Sequence, residues 1–158
     1  MLLPIKKILC PTDFSEASNV SIRVADELAL HFGAELILIH VVSPMTAVRP
    51  TGTIPIFTKN NYLDEMQRAS AESLKDLIEN RVCKSVSARP FVAIGRAGEE
   101  ITRLAEEEHV DLIVLSTHGE TGLTRMIFGS VAEKVVRLSS CPVLTLHPTE
   151  ETGASKNS

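Results

Sequence analysis

Tryptophan is absent from this chain, and the remaining aromatics make up only 4% of its residues. A surface that stacks nucleobases on a series of rings is therefore not expected. Blocks of Lys and Arg are also missing, and the net charge is −4. Nonspecific nucleic-acid binding needs a basic face against the phosphates, so no nucleic-acid partner is expected. No segment approaches the roughly 20 apolar residues of a membrane span, which argues against membrane insertion. The first residues lack the apolar core and cleavage pattern of a secretory leader. Cysteine is sparse, at Cys10, Cys83 and Cys141, with spacings that match neither a zinc site nor a Cys-x-x-Cys pair. Isolated cysteines with mostly apolar neighbours suit a reducing compartment, and the expected location is the cytoplasm.

What is present is aliphatic. Hydrophobic residues are 44% of a 158-residue chain, enough for one domain that needs no disulfide or metal to hold its core. Residues 5–10, 35–42, 87–94, 112–115 and 141–147 read as strands, several of them unbroken apolar runs of the kind buried on both faces. Pro11 should end the first, and Pro90 places the third at a sheet edge. Between them, residues 17–32, 62–82, 99–108 and 130–139 carry apolar positions at helical spacing. Val131, Val135 and Leu138 mark the inner face of the last. Gly33 is a natural cap for the first helix, and the stretch from Gly95 to Gly98 reads as a turn. Ser43 to Asn61, with three prolines, reads as a long loop, and long loops in compact domains are commonly functional. The segment 148–158 is polar and expected to be a disordered tail beyond a domain spanning 1–147.

The alternation β-α-β-α-β-α-β-α-β implies an α/β fold: an open, doubly wound, five-stranded parallel sheet with helices on both faces. Ligands in such sheets bind at the strands' carboxyl ends, where the winding direction switches. That rim collects Pro11-Thr12-Asp13, Val41-Val42-Ser43, Gly95-Arg96-Ala97 and Ser116-Thr117-His118-Gly119. The last of these leads, through a loop containing Gly122, to Gly129-Ser130-Val131 at a helix start. Strand, glycine loop and helix N-terminus together seat phosphate well, because the backbone can approach closely and the free amides attract anions. No Gly-Lys-Ser/Thr follows, so this is not a P-loop, and it is not the Gly-x-Gly-x-x-Gly of dinucleotide folds. The plainer alternative is a surface loop with turn glycines and an ordinary helix cap. The capping-box spacing of Ser130 and Glu133 supports that alternative, as would Asp13 serving as a helix cap.

Several motifs in order resemble the universal stress protein family, over about residues 3 to 147. They are Ile8-Leu9-Cys10-Pro11-Thr12-Asp13-Phe14-Ser15, Leu38-Ile39-His40-Val41, Asp111-Leu112-Ile113-Val114, Ser116-Thr117-His118-Gly119, Gly129-Ser130-Val131-Ala132-Glu133 and Cys141-Pro142-Val143-Leu144. The ATP-binding branch of that family carries Gly-x-x-Gly, nine residues, then Gly-Ser or Gly-Thr. Here Gly119 and Gly129-Ser130 keep that spacing, while Ser116 replaces the first glycine. Serine would fail there if the position required a positive φ. The resemblance implies ATP as ligand, with Mg2+ as its companion and ADP or AMP as alternatives. Asp13 would hold the ribose or a nucleotide-bound metal, with no metal site made by protein alone. Val41 would meet the adenine edge through its backbone, and Pro11 and Thr12 would line the base pocket. Gly119, Gly129, Ser130 and Val131 would wrap the phosphates, with Leu115, Ser116 and His118 completing the set. Glu120, where relatives often place a basic residue, is expected to face solvent.

The resulting expectation is a regulatory nucleotide-binding protein with little or no hydrolysis, since no residue pair that would orient water and stabilise transferred charge stands out. The alternative is a dimeric member of the family that works through an unidentified protein partner and binds no nucleotide. In either case the resemblance implies a homodimer through strand 142–147. An adenylyl-transferring enzyme would carry a Ser-Gly-Gly loop after its first strand, and this chain has Pro11-Thr12-Asp13 there.

Overall fold

The computed structural model of the chain describes residues 4–44, 56–117 and 129–147. His118, Gly119, Glu120, most of the 43–61 loop and the tail fall outside them. In order, the elements are β1 (Lys7–Pro11), α1 (Glu16–Phe32), β2 (Glu35–Val42), α2 (Ile56–Arg81), β3 (Ala88–Ile94), α3 (Ala97–Glu107), β4 (Leu112–Ser116), α4 (Ser130–Leu138) and β5 (Val143–Leu146). All pairings are parallel, and the sheet order is β3-β2-β1-β4-β5. β1 is thus central, with Ile8 beside both Leu36 and Leu112.

Strand alternation divides the core into two layers. Leu9, Ile37, Ile39, Ile113 and Leu115 point toward Ile101 and Leu104 of α3 and Val135 of α4. Ile8, Cys10, Leu36, Leu38 and Val114 point toward Ile22 and Ala25 of α1 and Leu74 of α2. Burial on both faces is why these strands read as continuous aliphatic runs. β3 lies at an edge, where Pro90 can be accommodated. α1 ends at Gly33, whose φ of 64° suits a residue without Cβ and whose N–H reaches Ala29 O.

The structure corrects four local expectations. α2 begins at Ile56, six residues before the predicted start at Tyr62. Thr58, Asn60 and Asn61 are weak helix formers, so propensity concealed its first turns. Ala97 and Gly98, read as a turn, open α3. Gly98 lies so close to α4 that a Cβ there would come within 2.9 Å of the Lys134 side chain. In α4 only Ala132 and Val135 are buried, while Val131 and Leu138 are exposed. A nine-residue helix at the sheet's end has only a narrow covered stripe. Finally, Gly129 is the N-cap of α4 and makes no side-chain capping bond, so Ser130 is not the cap of a capping box.

Candidate functional site

At the carboxyl end of the sheet, the chain leaves β1 for one face and β4 for the other. The two strands are neighbours, so a crevice opens between their departing loops. A cavity of about 550 Å3 occupies it, within the roughly 300–1,000 Å3 of small-molecule sites. Ile39, Val41 and Leu115 from the strand ends and Ile101 and Ala132 from the helices form its apolar wall. Thr12, Asp13, Ser116, Thr117 and Ser130 supply polar groups.

The turn from β1 to α1 is held by its own short side chains. The Thr12 N–H donates to Ile39 O at 2.9 Å, so the chain leaves the ladder just after Pro11. Thr12 is buried, and its Oγ1 accepts from the Phe14 N–H at 3.0 Å and lies 2.9 Å from Ser18 Oγ. Asp13 is not the cap of α1. Ser15 is, accepting from the Ser18 N–H, while Asp13 Oδ1 accepts from the Ser15 N–H and hydroxyl. This Asx-type turn sets the carboxylate at the cavity wall. Phe14 is left with φ of 66°, a left-handed conformation unusual for a large side chain.

The opposite wall is the start of α4. The Gly129 N–H donates to Thr117 O at 2.8 Å, so that amide is committed to the protein and does not face an anion. The donors left without an intrahelical acceptor belong to Ser130, Val131 and Ala132. Gly129 matters for a different reason: a Cβ there would lie 3.0 Å from Thr117 O. Thr117 is buried, and its amide also donates to Leu146 O at 2.8 Å. Ser116 ends β4 and is not among the residues with positive φ, so serine meets no backbone obstacle there.

Nine of the sequence-predicted residues therefore converge on one cavity: Pro11, Thr12, Asp13 and Val41 on one side, and Leu115, Ser116, Gly129, Ser130 and Val131 on the other. His118 and Gly119 lie outside the described residues. Sequence reasoning placed Ser43, Ala97 and Thr117 at the rim without naming them as ligand contacts, and it did not single out Ser18, His40, Ile101 or Ala132 for the site. Ile101 carried a helix-periodicity signal that pointed only to the core.

Among the described lining residues there is no Lys or Arg, and Asp13 is the one carboxylate. Negative charge placed here would meet amides, hydroxyls and the roughly half-charge of a helix N-terminus. No described group of three His, Cys, Asp or Glu residues could hold a metal alone. The residues fit a phosphate-bearing ligand that brings its own cation, with Asp13 able to contact that cation or a ligand hydroxyl. One residue before Pro11, burial pushes the Cys10 thiol well above its ordinary range, so it behaves as core. No described helix is long and apolar enough to cross a membrane.

The model of the universal stress protein family matches residues 4–147. The universal stress protein MJ0577 of Methanocaldococcus jannaschii is 30% identical, over 92% of this chain and 97% of its own. The solved structure of MJ0577 superimposes with a TM-score of 0.79 at 27% identity, covering 92% of this chain and 98% of that one. UspA from Lactobacillus plantarum gives 0.71 at 25%, covering 90% and 97%. A universal stress protein solved in complex with cAMP gives 0.61 at 21%, covering 90% and 97%, a likeness of fold.

Proposed function

The chain belongs to the universal stress protein family, and from that premise we propose that it binds an adenine nucleotide, ATP with Mg2+, in the rim cavity. ADP and AMP are the smaller alternatives. The observation that carries this reading is the convergence of Asp13, the β4 end and the three α4 amides that lack an intrahelical acceptor on one cavity. A polyphosphate would lie against Ser130, Val131 and Ala132, and the nucleoside toward Val41, Pro11 and Thr12. Asp13 would take the ribose or the cation. The adenine-type ligand named with a structural neighbour, cAMP, favours the same class. The role is regulatory, with little or no hydrolysis. Rapid turnover needs one group to orient water and another to stabilise the transferred charge. Among the described lining residues the titratable side chains are Asp13 and His40, and His40 Nδ1 is held on Thr12 O.

Thermal melting tests this directly. Mg-ATP at 100 times its dissociation constant should stabilise the protein by about 2.7 kcal/mol, and Mg-GTP should do less. No shift with Mg-ATP, ADP or AMP overturns the reading. One observation favours a second activity, self-association. All four residues of β5 are only half-buried, β5 is an edge strand, and Val136 and Leu138 on α4 are exposed. An apolar edge invites pairing, and a homodimer through 142–147 is the corresponding proposal, read by sedimentation.

A further inference from the structure

We infer that His40 is a positioning residue that sets the Asp13 turn through its contacts with Thr12 and Phe14. This rests on the nucleotide reading above for its functional consequence. Successive side chains of a strand alternate between faces. Leu36 and Leu38 belong to the layer under α1 and α2, while Ile37 and Ile39 belong to the layer under α3 and α4. By that alternation His40 projects toward α1, on the face opposite Ile39 and Val41, and it borders the cavity beside Thr12 and Asp13. There its Nδ1 lies 2.9 Å from Thr12 O. A carbonyl can only accept, so Nδ1 carries the proton. The same ring packs on Phe14, with centroids 4.5 Å apart.

These two contacts bracket Asp13, the residue between them in sequence. Thr12 is fixed by its carbonyl on His40, its amide on Ile39 and its hydroxyl beside Ser18. Phe14 holds a left-handed φ that a large residue adopts only when its surroundings enforce it. Those surroundings are the Thr12 hydroxyl on its amide and the His40 ring against its side chain. Asp13 therefore has little freedom to leave the cavity wall. His40 thereby gives the Asp13 turn preorganisation.

The test is a binding titration with Mg-ATP across a double-mutant cycle. His40→Phe keeps a ring against Phe14 and removes the Nδ1 donor. It should weaken binding about tenfold, and His40→Asn, which returns a donor near the Nδ1 position, should recover most of that loss. On an Asp13→Ala background, His40→Phe should cost less than threefold, because little remains to position. Equal losses on both backgrounds, or no loss in the first, overturn the inference. If the wild-type chain binds no nucleotide, the functional reading fails separately. Amide exchange then decides the positioning claim. Faster exchange at Phe14 and Ser15 in His40→Phe, with the buried turns of α1 unchanged, upholds it, and unchanged exchange overturns it.

Discussion

At the amino end of the sheet, Arg89 bridges Glu35 and Glu108 at 2.7 Å each, and Lys7 Nζ meets Glu108 at 3.0 Å. Asp111 Oδ2 accepts the Lys6 and Lys7 amides at 2.8 and 2.9 Å. At the carboxyl end, the described cavity wall carries one carboxylate, no Lys or Arg, and the amides of a helix start. Both ends are polar, yet they differ in what remains to be satisfied. The charges of the first are matched within the protein, so they can fasten strand starts and offer a ligand little. The second has helix-start amides with no intrahelical acceptor beside the cavity, and a turn held in an unusual conformation. The contrast shows that a dense charge cluster can be satisfied within the protein, and on the proposed reading the sparsely charged cavity is the better anion site.

The comparison is broken most severely at Gly129. Gly129→Val should lower Mg-ATP affinity at least a hundredfold, measured by calorimetry, because the side chain enters against Thr117 O. The same crowding disturbs the Gly129–Thr117 hydrogen bond, so we expect about 1–3 kcal/mol of destabilisation as well. Unchanged affinity in a folded variant would remove the cavity from the argument.

The opposite end should show the reverse pattern. Glu108 is held below the usual carboxylate range, first by its hydrogen bond from Lys7 and then by Arg89. A carboxylate with a lowered folded value stabilises the protein above its unfolded value, about 4.3, and loses that contribution as pH falls through the folded value. Glu108→Gln should therefore cost stability at neutral pH and progressively less in acid. With the Glu108 side chain 29% exposed, screening limits the cost to about 1 kcal/mol, or roughly 2–4 °C in Tm. Nucleotide affinity should not move. A constant Tm gap down to pH 3 would mean that packing rather than charge holds this corner.

These two ends were unequally legible in the sequence. The sheet announced itself because strands buried on both faces leave continuous aliphatic runs, as at Leu36–Ile39 and Leu112–Leu115. Pro90 and Gly33 were informative because each has a backbone requirement that few positions meet. Gly98 misled for the same reason in reverse: its glycine serves the approach of α3 to α4, not a turn. The site's outline followed from fold topology plus a few motifs. The commitment of the Gly129 amide and the part played by His40 did not follow. Both depend on partners far away in sequence, Thr117 and Thr12, and no local spacing encodes those pairings. The Arg89–Glu35 and Lys7–Glu108 pairs were likewise invisible until the strands were set in register.

Ser116 sharpens the comparison by the smallest effect. It stands where the ATP-binding pattern of the family has glycine, which suggests on sequence grounds a weakened phosphate seat. The backbone argues otherwise. Ser116 is the last residue of β4, paired with Leu146 and without a positive φ, so glycine's extra freedom is not needed there. Ser116→Gly should then leave Mg-ATP affinity within threefold. It should lower stability by about 0.5–1 kcal/mol, because glycine loses more conformational freedom on entering a strand. A gain in affinity of tenfold or more would show instead that the side chain obstructs the ligand, and that steric bulk at the end of β4, rather than the amides of α4, limits what the cavity holds.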